Sequence, residues 1–355
     1  VTCHTDHVGQ GSTFVAIKGF TTDGAHHIPK ALANGATHVI AHQESDQDSV
    51  EKVCAAYGAT CTFVSNTRQA LAEEANKTLG YPTQKLRVIG VTGTKGKTTT
   101  SYLIEHMLKN AGHKTALVST VVNRIMNEEE TSQRTTPESD YLFMFFAECV
   151  KRGVEYVVME VSSHALSLSR VHTLTFDVAC FTNLTPEHMD YHPTLEDYFL
   201  AKMKLFSQIK SNGTIIINGD DAWALKAYQH ALRALPAAQI LTICKNESTA
   251  PSYASLFTPL QTSFDGITCS LHIQKKQPVQ FSCPALAGIY NCYNASMAVA
   301  AVQSLGFSQE VILQGLQTFP GVPGRLQKHV LGNGAVAFVD FAHNSSSIKE
   351  VLLAL

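Results

Sequence analysis

The chain lacks the features that mark secreted, membrane-spanning and nucleic-acid-binding proteins. Its nine cysteines include no Cys-x-x-Cys pair, so we interpret them as core residues of a reducing compartment. No apolar run is long enough to span a bilayer, and no basic-then-apolar segment resembles a signal peptide. Charged residues make up only 16% of the chain with a net charge of −2, which does not favour nucleic acid or an anionic membrane as a partner. We therefore expect a cytoplasmic protein, and the initial Val1 leads us to expect residues before it.

One segment carries the strongest chemical signal in the sequence. An apolar run that ends at Val91 is followed by Gly93-Thr94-Lys95-Gly96-Lys97-Thr98-Thr99 and then by helical spacing over residues 101–110. A glycine-rich turn between a strand and a helix directs backbone N–H groups and the helix N-terminus at phosphate. Lys97 would reach the outer phosphates and the Thr98 hydroxyl would ligate Mg²⁺. The strict Walker spacing fails because position 91 is valine, yet nucleotide binding is favoured over a plain turn.

The order of predicted elements indicates an α/β protein of two to three domains. Residues 1–80 alternate strands and helices and form a small α/β domain. Residues 81–323 follow the same alternation with apolar strands, which predicts a parallel sheet covered by helices on both faces, that is, a phosphate-loop ATPase domain. Within it, residues 195–209 are predicted to form a single helix. Residues 324–355 are one βα unit, which we interpret as the truncated start of another domain.

Polar residues follow two neighbouring strands of this predicted sheet. Glu160 ends the run 155–161, and Asn183 and His188 follow the run 176–183. Since ligands bind at the carboxyl ends of parallel strands, Glu160 is predicted as a Mg²⁺ ligand rather than a turn cap. His188 could bind a second metal ion through a neutral imidazole nitrogen, although a single histidine is more often a surface or hydrogen-bonded residue. The two lysines of the next helix, Lys202 and Lys204, are predicted by pattern alone to be solvated.

Four segments together carry a resemblance to a known family. In chain order they are the loop 93–99, Thr135-Thr136-Pro137-Glu138, Glu160-Val161-Ser162-Ser163-His164-Ala165-Leu166 and His188-Met189-Asp190-Tyr191-His192. This series resembles the Mur ligases and, among them, the MurE-type UDP-N-acetylmuramoyl-tripeptide synthetases. The resemblance covers nearly the whole chain and implies that residues 324–355 begin a Rossmann-like C-terminal domain.

The resemblance implies an ATP-dependent ligase of peptidoglycan precursor synthesis. ATP would phosphorylate the terminal carboxylate of UDP-MurNAc-L-Ala-D-Glu, and the amine of a diamino acid would attack the acyl phosphate. We expect a monomer that binds neither nucleic acid nor membrane. Two alternatives stay open: another Mur-type ligase, such as a folylpolyglutamate or cyanophycin synthetase relative, and a homologue that binds ATP or UDP-sugar without catalysis. The sequence identifies no particular diamino acid.

The resemblance also implies roles for individual residues. Lys97, His188 and Lys202 would serve catalysis, with Thr98 and Glu160 on one Mg²⁺ and His188 and a carbamylated Lys202 on a second. The implied contacts of the UDP-linked peptide are Thr5, Thr135, Thr136, Ser162 and Arg170. The implied ATP contacts outside the loop are Asn183, Asn291, Asn294, Arg325, Asp340 and His343.

Two stretches depart from the family pattern. At the N-terminus the expected Asp-Ser-Arg reads His4-Thr5-Asp6, and near the other end Asp340 and His343 lack the Pro-Asp that follows in the family. These departures leave open whether the chain as given is active.

Overall fold

The computed structural model of the protein describes residues 1–19, 22–234, 239–245, 254–273 and 278–355. The helices are α1 (Ile28–Ala33), α2 (Gln47–Ala56), α3 (Thr67–Thr78), α4 (Lys97–Asn110), α5 (Ser139–Lys151), α6 (Ser163–Ser167), α7 (Leu195–Met203), α8 (Ala224–Ala234), α9 (Ile289–Ser304), α10 (Gln309–Gln317) and α11 (Ser345–Ala354). The strands are β1 (Ser12–Val15), β2 (Ala36–His42), β3 (Thr60–Val64), β4 (Arg87–Thr92), β5 (Thr115–Val118), β6 (Val122–Ile125), β7 (Glu128–Thr131), β8 (Tyr156–Glu160), β9 (Phe176–Phe181), β10 (Ile209–Asn218), β11 (Gln239–Cys244), β12 (Ala254–Ser263), β13 (Gly266–His272), β14 (Val279–Cys283), β15 (Gln327–Val330) and β16 (Val336–Val339).

The described residues divide into two compact units. Unit 1 contains Val1–Lys85, Pro137–Arg152 and His164–Leu174, and unit 2 contains Leu86–Thr136, Gly153–Ser163 and Thr175–Leu355. The units therefore do not follow chain order. Residues 137–152 join unit 1 because α5 packs against α3. The division into segments 1–80, 81–323 and 324–355 stays a prediction, since it follows chain order and not these contacts.

Unit 1 is built on a small parallel sheet in the order β1-β2-β3. Two of its helices begin at polar caps: the Asp46 carboxylate accepts from Ser49 N ahead of α2, and the Asn66 side chain accepts from two backbone N–H groups ahead of α3. Phe14, Ile28, Leu32 and Val39 belong to one buried cluster of this unit. The predicted small α/β architecture of the N-terminal residues is confirmed.

Unit 2 contains a sheet of eleven described strands in the order β14-β13-β12-β11-β10-β9-β4-β8-β5-β6-β7. The strands from β12 to β5 in this order pair in parallel, as predicted for apolar strands that alternate with helices. At both edges, however, the pairing is antiparallel, through β12-β13-β14 and β5-β6-β7. The sheet is thus mixed, because hairpins extend the parallel centre on each side.

One predicted helix of unit 2 is wrong at its C-terminal end. The helix expected over residues 195–209 stops at Met203, and a short 3₁₀ turn (Phe206–Gln208) leads into β10. Leu205, Phe206 and Ile209 keep an apolar spacing that suits either structure. Pairing of Ile209 with Phe176 of β9 selects the strand.

None of the described helices combines the length and apolar character needed to cross a membrane.

The crossing of α10 and α4 depends on a glycine. A Cβ at Gly315 would lie 2.7 Å from Met107 Cγ and 2.9 Å from Met107 Cα. Alanine improves helix propensity by about 1 kcal/mol over glycine, but overpacking against a backbone atom costs about 1–3 kcal/mol. We expect Gly315→Ala to lower the free energy of unfolding by about 1 kcal/mol, measured by chemical denaturation. Gln314→Ala, at an exposed position of α10, is the control and should stay within about 0.5 kcal/mol. A Gly315→Ala protein more stable than the parent would contradict this packing.

Candidate functional site

The phosphate loop spans residues 93–96, between the end of β4 and the start of α4. Gly93 has φ +145°, and a Cβ there would collide with the Thr182 hydroxyl. Gly96, the N-cap of α4, has φ +83°. Both backbone conformations favour glycine. The N–H groups of Thr94 and Lys95 donate to Asn183, so the anion-binding element that the loop presents is the N-terminus of α4.

The lysines of the loop contact oxygen acceptors within the loop and beside it. Lys97 Nζ donates to the carbonyl oxygens of Gly93 at 3.0 Å and Thr94 at 2.8 Å. Lys95 Nζ pairs with Glu187 Oε1 at 2.9 Å. Burial lowers the pKa of Lys97, while Glu160 and Glu187 oppose that shift. The loop thus holds two cationic groups close to carboxylates and to the helix N-terminus.

Lys202 is buried, and its predicted solvation is wrong. The side chain is 1% exposed, its Nζ donates to Gly93 O at 2.9 Å, and it lies 4.3 Å from the ring centroid of Tyr198. Burial, followed by the charge of Lys97, lowers the pKa of Lys202 well below its usual value. Lys204 is exposed, as predicted. Lys202 lies within α7, whereas Lys204 follows its last residue, Met203.

Glu160 ends β8 opposite Val91 of β4 and is completely buried. Its Oε1 accepts from Thr120 N at 2.8 Å, and its Oε2 accepts from the Thr120 hydroxyl at 3.1 Å. Three residues implied for the UDP-linked peptide lie around it. The Thr135 hydroxyl is 3.1 Å from that of Thr120, the Thr136 hydroxyl donates to Glu160 O at 2.9 Å, and Ser162 N donates to the Thr136 hydroxyl at 3.1 Å.

His188 lies near the same lysines. Burial lowers its pKa, Glu187 opposes the shift, and Lys202 and Lys97 add to it. A neutral imidazole is the form that binds a metal ion. Among the described residues, no group of three or more His, Cys, Asp or Glu side chains is arranged to hold a metal. The predicted Mg²⁺ ligands are the Thr98 hydroxyl, the Glu160 carboxylate, His188 and Lys202. The hydroxyl and carboxylate oxygens among them suit Mg²⁺.

The three candidate asparagines contact the loop, its helix and each other. Asn183 Oδ1 accepts from Lys95 N at 2.9 Å, and its Nδ2 donates to Lys95 O at 3.1 Å. Asn294 and Asn291 lie inside α9, where Asn294 Nδ2 donates to Asn291 Oδ1 at 2.9 Å. The Thr100 hydroxyl donates to Asn294 Oδ1 at 3.4 Å. Asn183 thus holds the backbone of the loop, and Asn294 contacts α4. The contact of all three asparagines with ATP stays a prediction.

The C-terminal candidates separate into one residue at the loop and two in a local turn. Arg325 Nη2 donates to the Thr98 hydroxyl at 3.4 Å. Asp340 accepts from Leu326 N and Ala342 N, both at 2.7 Å. His343 Nδ1 lies 2.9 Å from Phe341 O. Arg325 therefore reaches the site, whereas the Asp340 carboxylate holds backbone, and the ATP contacts of all three stay predictions.

Two candidates for the UDP-linked peptide belong to unit 1. The Thr5 hydroxyl donates to Asp6 Oδ1 at 3.4 Å in a short 3₁₀ turn. Arg170 Nη2 pairs with Glu138 Oε1 at 2.8 Å.

Sequence reasoning missed several residues that shape the site. The Thr182 hydroxyl donates to Lys95 O at 2.6 Å, and Tyr198 OH lies 3.2 Å from the Thr94 hydroxyl. Thr120 and Glu187, described above, belong to the same group. Thr182 and Thr120 follow strand ends, so a search for polar residues at those positions could have found them. Tyr198 lies within a helix, and no local pattern distinguishes it.

Comparison with known proteins gives one consistent family. The Mur ligase middle domain matches residues 91–302, and the Mur ligase family catalytic domain matches residues 1–78. A UDP-N-acetylmuramoyl-L-alanyl-D-glutamate–2,6-diaminopimelate ligase of Nostoc sp. strain PCC 7120 is 38% identical over 348 residues, covering 98% of this chain and 68% of the relative. The protein of the same name from Bacillus licheniformis is 36% identical, covering 97% and 68%.

A solved structure of a UDP-N-acetylmuramoyl-L-alanyl-D-glutamate–2,6-diaminopimelate ligase has the same fold. It superposes with a TM-score of 0.80 at 28% identity, over 99% of this chain and 68% of that one. The chain thus spans about two thirds of the length of these relatives.

The conformation of Gly93 yields a direct test of the loop. We expect Gly93→Ala to weaken ATP binding at least about tenfold, because the added Cβ collides with Thr182 and a side chain strains the backbone at this φ. Isothermal titration calorimetry measures the Kd. Gly332→Ala is the control, since a Cβ at Gly332 meets no atom within 4 Å, and its Kd should stay within about twofold. Equal Kd values for Gly93→Ala and the parent would show that the loop does not bind ATP.

Proposed function

Because the chain belongs to the Mur ligase family, we propose that it joins a diamino acid to the terminal carboxylate of UDP-MurNAc-L-Ala-D-Glu. It is an ATP-dependent ligase of peptidoglycan precursor synthesis. The relatives above are named for 2,6-diaminopimelate as the amine. The observation that carries the proposal is the convergence of Lys97 and Lys202 on the carbonyl of Gly93.

The chemistry follows from this cluster of charges. The substrate carboxylate attacks the γ-phosphorus of ATP, which gives an acyl phosphate and ADP, and the amine then attacks the acyl carbon and releases phosphate. Phosphoryl transfer depends mainly on positioning and on neutralisation of charge. Lys97 and the N-terminus of α4 supply both, because phosphate oxygens are stronger acceptors than the loop carbonyls that Lys97 now contacts.

We propose that Mg²⁺ takes part through residues that suit it. Thr98 and Glu160 would hold one ion, and His188 and a carbamylated Lys202 would hold a second. Bound Mg²⁺ supplies positive charge to the phosphate oxygens. The depressed pKa of Lys202 favours its neutral amine, the form that reacts with CO₂. The carbamate places anionic oxygen where a hard metal requires it.

The remaining predicted contacts complete the proposal. The UDP-linked peptide is assigned to Thr5, Thr135, Thr136, Ser162 and Arg170. ATP is assigned to the loop together with Asn183, Asn291, Asn294, Arg325, Asp340 and His343. We propose that the protein acts as a monomer in the cytoplasm.

The test of the function is phosphate release from ATP with UDP-MurNAc-L-Ala-D-Glu and either lysine or meso-diaminopimelate. We expect release only when the UDP-linked dipeptide and one of the amines are both present. Omission of either substrate is the control. Binding of ATP and dipeptide without release with any amine would favour the non-catalytic alternative. Release with a folate or a cyanophycin primer in place of the dipeptide would favour another Mur-type ligase.

Lys202 has a matched control two residues farther along the chain. We expect Lys202→Ala to lower kcat at least about 100-fold, the upper end of the losses seen when support around a metal is removed. Short carboxylates such as acetate should restore part of the activity, because they replace the anionic oxygen of the carbamate. Lys204→Ala, at an exposed position, should leave kcat unchanged. Full activity of Lys202→Ala would exclude the carbamate role.

A further inference from the structure

In unit 1 one carboxylate is shared by two arginines. Glu138 Oε1 lies 2.8 Å from Arg170 Nη2, and Glu138 Oε2 lies 3.9 Å from Arg68 Nη1. The three side chains are largely buried, with exposed fractions of 16% for Glu138, 11% for Arg170 and 20% for Arg68. These three side chains, which we call the Glu138 cluster, together carry a charge of about +1, whereas the nearby buried Asp140 carboxylate accepts from Thr2 and Cys3. The positive charge of the cluster favours an anionic ligand.

The surroundings of the cluster hold Arg170 in one orientation. Glu138 is the N-cap of α5, yet its side chain makes no capping hydrogen bond and instead turns to the arginine. The next residue, Ser139, donates its hydroxyl to Arg170 O at 3.1 Å. Residues 138 and 139 thus fix both the side chain and the backbone of Arg170.

The first turn of α3 supplies the second arginine. The Asn66 side chain caps this helix by accepting from Arg68 N and Gln69 N. Arg68 and Glu138 each lie at a helix N-terminus, where the helix dipole adds positive potential. The dipoles and the net charge of the arginines therefore act in the same direction on an approaching anion.

We propose that Glu138 is a positioning residue that holds Arg170 and Arg68 as a paired cationic site for an anionic group of the UDP-linked substrate. The inference rests on the proposed function, which assigns Arg170 to that substrate. The anionic group is either the diphosphate or a carboxylate of the muramoyl dipeptide. A guanidinium held in one plane suits both, because it can bind two oxygens at once.

Removal of the Glu138 charge has two opposing effects. It raises the net charge of the cluster to about +2, which attracts anions, but it also releases two guanidinium groups that then repel each other. Binding of two oxygens at once depends on the plane in which each guanidinium is held. We expect the loss of orientation to dominate.

The experiment is calorimetric titration of the 355-residue chain with UDP-MurNAc-L-Ala-D-Glu, with UDP alone and with ATP. Glu138→Gln should raise the Kd of the dipeptide about tenfold, a loss of roughly 1.4 kcal/mol, and leave the Kd of ATP unchanged, although loss of the buried ion pair lowers the melting temperature. Arg68→Met should raise the same Kd about threefold, near 0.7 kcal/mol by the same relation. Glu148→Gln is the control, because Glu148 lies on α5 with 43% of its side chain exposed, and it should change nothing.

The outcomes separate the two anions and the two proposals. Weaker binding of UDP as well as of the dipeptide identifies the diphosphate, and weaker binding of the dipeptide alone identifies a carboxylate; both support the inference. Parent-like binding of the dipeptide by Glu138→Gln overturns it. If Glu138→Gln and Arg68→Met both lower the ATP affinity together with the melting temperature, the Glu138 cluster serves stability. That result also overturns the inference. If the parent chain binds no dipeptide, the proposed function falls and this inference falls with it.

Discussion

The position of β4 between β9 and β8 is the constraint on which the site depends. In this register Val91 lies opposite both Glu160 and Cys180, so the residues that follow the three strands meet at one edge of the sheet. Parallel pairing makes this edge the place where ligands bind. The hydrogen bond from Thr182 to Lys95 O and the buried carboxylate of Glu160 both follow from it.

The charged side chains at this edge of the sheet favour a ligand with several negative charges. The cations Lys95, Lys97 and Arg325 lie around the loop, and burial lowers the pKa of Lys97. Lys202 lies beside them, and its much lower pKa favours the neutral amine. A cluster of partly buried cations is costly unless anions neutralise it. Loop carbonyls and Glu187 supply part of that neutralisation within the protein. Phosphate oxygens would supply more, which explains why so many donors converge on so short a loop.

Local pattern and family resemblance account for much of the architecture but not for all contacts. Strand and helix alternation predicted the α/β units, and the glycine-rich segment follows a strand and leads into a helix as expected, with α4 beginning at Lys97. The pattern misplaced the end of α7, because the apolar spacing of residues 205–209 fits both a helix and a strand. It also failed for Tyr198, whose hydroxyl meets Thr94 only after the chain has folded.

The sequence alone determined which chemical groups were present and in what order: a glycine-rich loop before a helix, and polar residues at strand ends. These depend on neighbours in the chain, so local spacing reveals them. Only the tertiary structure decided that Lys202 is buried while Lys204 is exposed, and that Glu138 is shared by Arg170 and Arg68. Burial and ion pairing depend on groups far apart in sequence, and the pairing of strands and the packing of helices bring those groups together.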